Sequence, residues 1–228
     1  MVKKSLKHII NGLVLTILGS LAIGCGTPVV PLQANYGYGM PASYNNAPVQ
    51  KNLQTQAQNT NLNEYTDGTV AVPNVPFVKQ GNDNTCAQAA MTMVLNFWGK
   101  NTNYQQVINK TNPSNLPTDV STITSYLTTQ GLKAQDYKKA SLDYLKSLIN
   151  EGKPAIVLLD YGSATTVHYV VVTGYNDVTQ QVILHDSIDG PNQKMSYSQF
   201  GKWWQNSSLN GLRVFGDKYE RVVFNISC

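Results

Sequence analysis

Charge is what this chain has least of. Only 13% of its 228 residues are Asp, Glu, Lys or Arg, about half the usual share for a soluble globular domain. The formal charge is +4, but Lys3, Lys4 and Lys7 lie in an N-terminal stretch without acids, and subtracting them leaves about +1. So small a charge offers nothing to hold a polyanion, and nucleic acid is excluded as a partner. Cysteine is equally scarce. Cys25, Cys86 and Cys228 stand far apart and are read one by one. There is no internal repeat and no long hydrophobic run. The stretch Ile9–Ile23 is interrupted at Asn11, Gly12, Gly19 and Ser20, too short and broken for a good spanning helix. No metal or cofactor is expected.

Residues 1–24 instead have the form of an export signal, a basic start followed by an apolar core. Its end, Leu21-Ala22-Ile23-Gly24-Cys25, resembles the lipobox of bacterial lipoproteins. That resemblance implies cleavage before Cys25, lipidation of Cys25 and tethering to a membrane face without spanning it; a simple signal peptide cut near Gly24 is the alternative. The protein is therefore expected outside the cytoplasm, in the cell envelope. Residues 25–71 are rich in Asn, Gln, Pro, Gly and Tyr with no apolar period, the composition of a disordered linker.

A folded domain is expected over residues 72–228. Gln80 to Gly99 holds its centre: a polar loop ends in Thr85-Cys86, and Ala87, Ala90, Met91, Val94, Leu95 and Trp98 then recur at helical spacing. Cys86 falls in the first helical turn, where open amides and the macrodipole favour negative charge. A thiol so placed is biased toward thiolate, the attacking form. The structural alternatives are a small buried apolar residue or a Cys86–Cys228 disulfide, which needs a specific Cα separation to a fraying terminus. Further helices are expected over Tyr104–Lys110, Asp119–Gln130 and Leu142 onward, the last capped by Ser141. The period then changes. Pro154–Asp160, Val167–Gly174 and Gln181–Asp186 read as strands, followed by a short helix from Ser196 and a last strand from Tyr219 to Ile226. Helices first and antiparallel strands afterwards indicate an α+β domain.

A nucleophilic cysteine needs a base. The only histidines are His8, His168 and His185, and His8 leaves with the signal. His168 opens a buried strand after the small-residue loop Gly162–Thr166, which suits a cleft; a hydrogen-bonded core histidine is the bland reading. Asp186 closes the next strand, and opposed side chains on neighbouring strands come within roughly 5 Å. A carboxylate there can hold one imidazole nitrogen and turn the other toward the thiol. Alternation sends His185 to the opposite face. Asp189, in a turn-like Ile188-Asp189-Gly190-Pro191, is the rival carboxylate.

Gln80, Thr85-Cys86-Ala87-Gln88-Ala89-Ala90, Val167-His168-Tyr169-Val170-Val171-Val172-Thr173-Gly174-Tyr175 and Asp186 together resemble the bacteriocin-processing peptidases. These are papain-like cysteine peptidases that remove double-glycine leaders, often as domains of ABC exporters. The resemblance implies a papain-like fold and a peptide or protein substrate cleaved after small residues. It makes Cys86 the nucleophile, His168 the general base, Asp186 its orienter and Gln80 an oxyanion donor. Gln80 is then expected to act with the Cys86 amide, while a plain polar loop residue is the other reading. The sequence departs from the family's pattern at Ser187, where proline commonly follows the aspartate. The chain is expected to act as a stand-alone lipoprotein, without an exporter domain. A non-catalytic peptide-binding module and a cell-wall amidase or acyltransferase are the competing functions.

Overall fold

Strand β5 (Val167–Asn176) is the hub of the sheet, with nine of its ten residues buried. One edge of a Val-rich strand cannot satisfy all its backbone groups. Here β4 (Ala155–Asp160) pairs along Val167–Val172, β6 (Gln181–Asp186) along Val171–Asn176, and β2 (Thr69–Ala71) along Gly174–Asn176. The computed structural model describes residues 63–64, 66–81, 83–161, 167–205 and 219–228. The expected signal and lipid site, the linker up to residue 62, and the Gly162–Thr166 loop lie outside the described residues. Beyond the hub, β8 (Val223–Ser227) joins β4, β3 (Lys133–Tyr137) joins β8, β7 (Gly190–Ser196) joins β6, and β1 (Asn63–Glu64) joins β2. Every pairing is antiparallel. The ladder slips at Thr173, a bulge between Val172 and Gly174. There a Cβ on Gly174 would sit 2.7 Å from the Val70 carbonyl oxygen, so only glycine lets β2 come this close.

Helix α1 (Cys86–Phe97) is buried at every position except Cys86 and Asn96. A helix apolar nearly all round belongs inside a core. It packs on β5 and β4 and against α2 (Tyr104–Thr111) and α3 (Val120–Thr129). Met91, Val94 and Leu95 are fully enclosed, each contributing about 1.5–3 kcal/mol of transfer free energy. Asn103, Asp119 and Ser141 cap α2, α3 and α4 (Leu142–Asn150) through side-chain oxygens. Ser196 does the same for α5 (Tyr197–Trp204), whose Trp204 indole donates to the Val222 carbonyl at 2.8 Å. The expected α+β arrangement, a helical part packed on an antiparallel sheet, is the one found.

The sheet is larger than the sequence pattern indicates. β3 and β7 are mostly exposed or half-buried edge strands and carry no apolar alternation. The folded part also begins before Val72, because β2 is held by its ladder and by Asn176, whose amide donates to the Asp67 carbonyl at 3.0 Å and to Thr69 Oγ1 at 2.9 Å. Such backbone-held pairing leaves no hydrophobic period. The last strand starts at Val223 rather than Tyr219.

Candidate active site

Antiparallel pairing brings the start of β5, the end of β4 and the end of β6 to one end of the sheet, and the α1 N-terminus meets them there. Cys86 opens the helix. Thr85, its N-cap residue, makes no side-chain cap bond; its hydroxyl accepts from the Tyr104 phenol at 2.8 Å. The first-turn amides of α1 therefore keep their capacity for a negatively charged oxygen. Tyr104 also accepts from the Gly81 amide at 3.3 Å, so one phenol ties both ends of the loop between Gln80 and the helix.

His168, only 4% exposed, is the second residue of β5. Its Nε2 lies 2.8 Å from Asp186 Oδ1, and the residue shares a cavity lining with Cys86. An Nε2–H donated to the carboxylate leaves Nδ1 for the sulfur. Burial alone would push the imidazolium down. The hydrogen bond to Asp186, with the charges of Cys86 and Asp186, outweighs it and raises the His168 pKa to about 9. Asp186 lies on the partner strand and is 3% exposed. Burial would raise its pKa. The hydrogen bond and charge of His168, the Tyr161 hydroxyl and the Ile188 amide together hold it well below the usual carboxylate range. The donors are close: Tyr161 Oη is 2.7 Å from Oδ2, the Ile188 amide 2.8 Å from Oδ1 and the Asp189 amide 3.3 Å.

Half-buried Cys86 lines a cavity of about 360 Å³ together with Gln80, Thr118, Tyr161, His168 and Ile188. Gln80 is joined to Ser187 twice: its amide donates to the Ser187 carbonyl at 3.0 Å, and its Oε1 accepts from Ser187 Oγ at 2.7 Å. All four residues singled out from the sequence, Cys86, His168, Asp186 and Gln80, thus meet around one cleft.

The rival residues take other parts. Asp189 contributes its backbone amide to Asp186. His185 faces away: Nε2 lies 3.0 Å from the Val75 carbonyl, and Nδ1 accepts from the Asn192 amide at 3.2 Å. Burial lowers its pKa, which suits a neutral structural imidazole. Cys86 is a free thiol, so it is not bridged to Cys228. Sequence reading missed Tyr161 and Ser187. A signal for Tyr161 exists, since it directly follows the buried β4 at the mouth where His168 begins β5. Ser187 shows only as a residue after Asp186.

A sulfur at a helix start, an imidazole in the same cavity and a carboxylate bonded behind the imidazole can perform nucleophilic acyl transfer. The solved double-glycine-motif protease from an AMS/PCAT transporter, in complex with a leader peptide, aligns at TM-score 0.51 and 19% identity over 68% of this chain and 91% of that one. The peptidase domain of Streptococcus ComA, a bifunctional ABC transporter of a quorum-sensing pathway, aligns at TM-score 0.53 and 19% identity over 68% and 98%. A C39-like chain from Bacillus anthracis aligns at 0.52 and 16% over 71% and 98%. At such identities these likenesses show a shared papain-like peptidase fold. A search of curated proteins finds no match. The model of the Peptidase_C39-like family matches residues 72–210, well over half of the sequence, and the chain belongs to that family.

Proposed function

We propose that the protein is a cysteine peptidase that hydrolyses peptide bonds with Cys86 as nucleophile, His168 as acid and base, Asp186 as orienter and Gln80 as oxyanion donor. The observation that carries this is the meeting of Cys86 and His168 in one cavity, with Asp186 bonded to the imidazole at 2.8 Å behind them. Cys86 attacks the carbonyl carbon as the thiolate, and the displaced electron pair moves onto the oxygen, met by the Cys86 amide and the Gln80 carboxamide. His168, as imidazolium, gives its proton to the amine as the C–N bond breaks. A thioester remains. His168 then takes a proton from water, hydroxide adds, and the C–S bond breaks to return the thiolate and a free carboxyl group.

An extended peptide is the substrate class this cleft suits. About 360 Å³ is near the lower end for ligand pockets, which favours small side chains beside the scissile bond. The transporter protease solved with a leader peptide supports the same class. The lipobox-like end of the signal supports export and anchoring through Cys25 in the cell envelope. Radiolabelled palmitate should be incorporated by the wild type and not by Cys25→Ser.

Incubating a mixed peptide pool with wild-type and Cys86→Ala protein, and sequencing the new ends by mass spectrometry, tests the activity. New ends confined to the wild type, with small residues before the cut, support it. Identical pools support a binding module; identical pools together with muropeptides released from purified cell wall by the wild type alone support an amidase.

A further inference from the structure

We propose that Ser187 is a positioning residue that sets which end of the Gln80 carboxamide meets the oxyanion. This rests on the peptidase reading above and goes beyond it. A carboxamide has two ends of nearly equal size and opposite hydrogen-bonding character. In a loop residue such as Gln80, packing alone does not choose between them. The choice matters. An amide nitrogen turned inward donates to a developing oxyanion, whereas an amide oxygen turned inward repels it.

Ser187 makes the choice. Its hydroxyl, on a residue 1% exposed, donates to Gln80 Oε1 at 2.7 Å. The carboxamide is planar, so an oxygen held against Ser187 turns the nitrogen to the opposite side, and Gln80 lines the cavity that holds Cys86. The backbones are locked as well, through the Gln80 amide and the Ser187 carbonyl at 3.0 Å. The hydroxyl and the carboxamide therefore cannot drift apart without breaking a second bond. Asp186 and Ser187 are consecutive. One dipeptide at the end of β6 thus holds both arms of the site, the base through Asp186 and the oxyanion donor through Ser187. A proline after the aspartate has no side-chain donor and cannot do this.

The test compares two reactions of Cys86 in the full-length protein. Alkylation by iodoacetamide forms no oxyanion. A reversible peptide aldehyde forms a hemithioacetal whose oxygen occupies the oxyanion position. Ser187→Ala is expected to leave the alkylation rate within about twofold and to weaken aldehyde binding by about tenfold, the scale of one hydrogen bond. Ser187→Thr should restore binding. In a Gln80→Ala background, Ser187→Ala should cost nothing further, because the group it orients is gone. Unchanged aldehyde affinity in Ser187→Ala, or an equal loss in the Gln80→Ala background, overturns the proposal while the peptidase reading stands. A wild-type protein that binds no aldehyde overturns both.

Discussion

Tyr161 donates to Asp186 Oδ2 at 2.7 Å, while His168 holds Oδ1 at 2.8 Å. Each carboxylate oxygen is thus claimed by a different side chain, and the group cannot rotate. The phenol is itself wedged edge-on against Trp203, with ring centroids 4.6 Å apart. Its pKa is pushed far up, by burial first and then by the Asp186 charge, so it remains a donor at all physiological pH. Tyr161→Phe should lower kcat several-fold and stability by about 1–2 kcal/mol, the cost of leaving a buried acceptor short of a donor. Steady-state kinetics and urea unfolding check both. A variant equal to wild type in kcat would remove Tyr161 from the carboxylate's positioning.

The pH dependence follows from His168. Its pKa is raised in the fold from the ordinary 6.5 to about 9. A group with a raised folded value adds stability fully present below its unfolded pKa and lost as pH rises through the folded one. This contribution should be complete below 6.5 and gone above about 9. Asp186 works the other way. Its folded pKa is lowered from 3.8, so its contribution is present above 3.8 and fades only as pH falls further. Unfolding free energies measured from pH 6 to 10 should decline across the His168 window in the wild type. His168→Gln should flatten that decline.

His185 is expected to matter for the fold and not for the chemistry. It bonds the Val75 carbonyl and the Asn192 amide, clamping the segment before α1 to the β6–β7 hairpin. His185→Ala should cost about 2–4 kcal/mol through an unpaired carbonyl and a cavity. The rate at which Cys86 is alkylated, measured well below the melting temperature, should hold. A large fall in that rate without loss of stability would give His185 a part in the site.

Gly174 tests the close approach of β2. A methyl group at this position meets the Val70 oxygen at 2.7 Å, nearer than carbon and oxygen can settle. Gly174→Ala should release β2 and lower the unfolding free energy by about 2 kcal/mol or more. Faster hydrogen exchange at Val70 and at Val72, whose amide donates to the Thr173 carbonyl at 2.8 Å, would report it.

The parts of the site legible in the sequence are those on strongly patterned elements. The α1 repeat fixes where Cys86 sits, and the unbroken apolar run of β5 makes its only histidine conspicuous. Strand alternation separates His185 from Asp186, and the structure puts them on opposite faces. Tyr161 and Ser187 escape because their roles are hydrogen bonds between distant segments, which leave no period. The edge strands β3 and β7 escape for a related reason: no residue of either is buried, so neither carries the apolar alternation that marks a strand with one face on the core. β2 belongs to the sheet through its backbone, and its three residues look like the end of a linker.

Intact-protein mass spectrometry, acid-quenched within seconds of mixing with a short peptide ester, tests most directly whether Cys86 and His168 act together. The account requires a transient thioester at Cys86 in the wild type, decaying as free carboxylate appears, and at least about tenfold slower to form in His168→Ala. A wild type that never acylates at Cys86, or a His168→Ala variant that acylates equally fast, would contradict it.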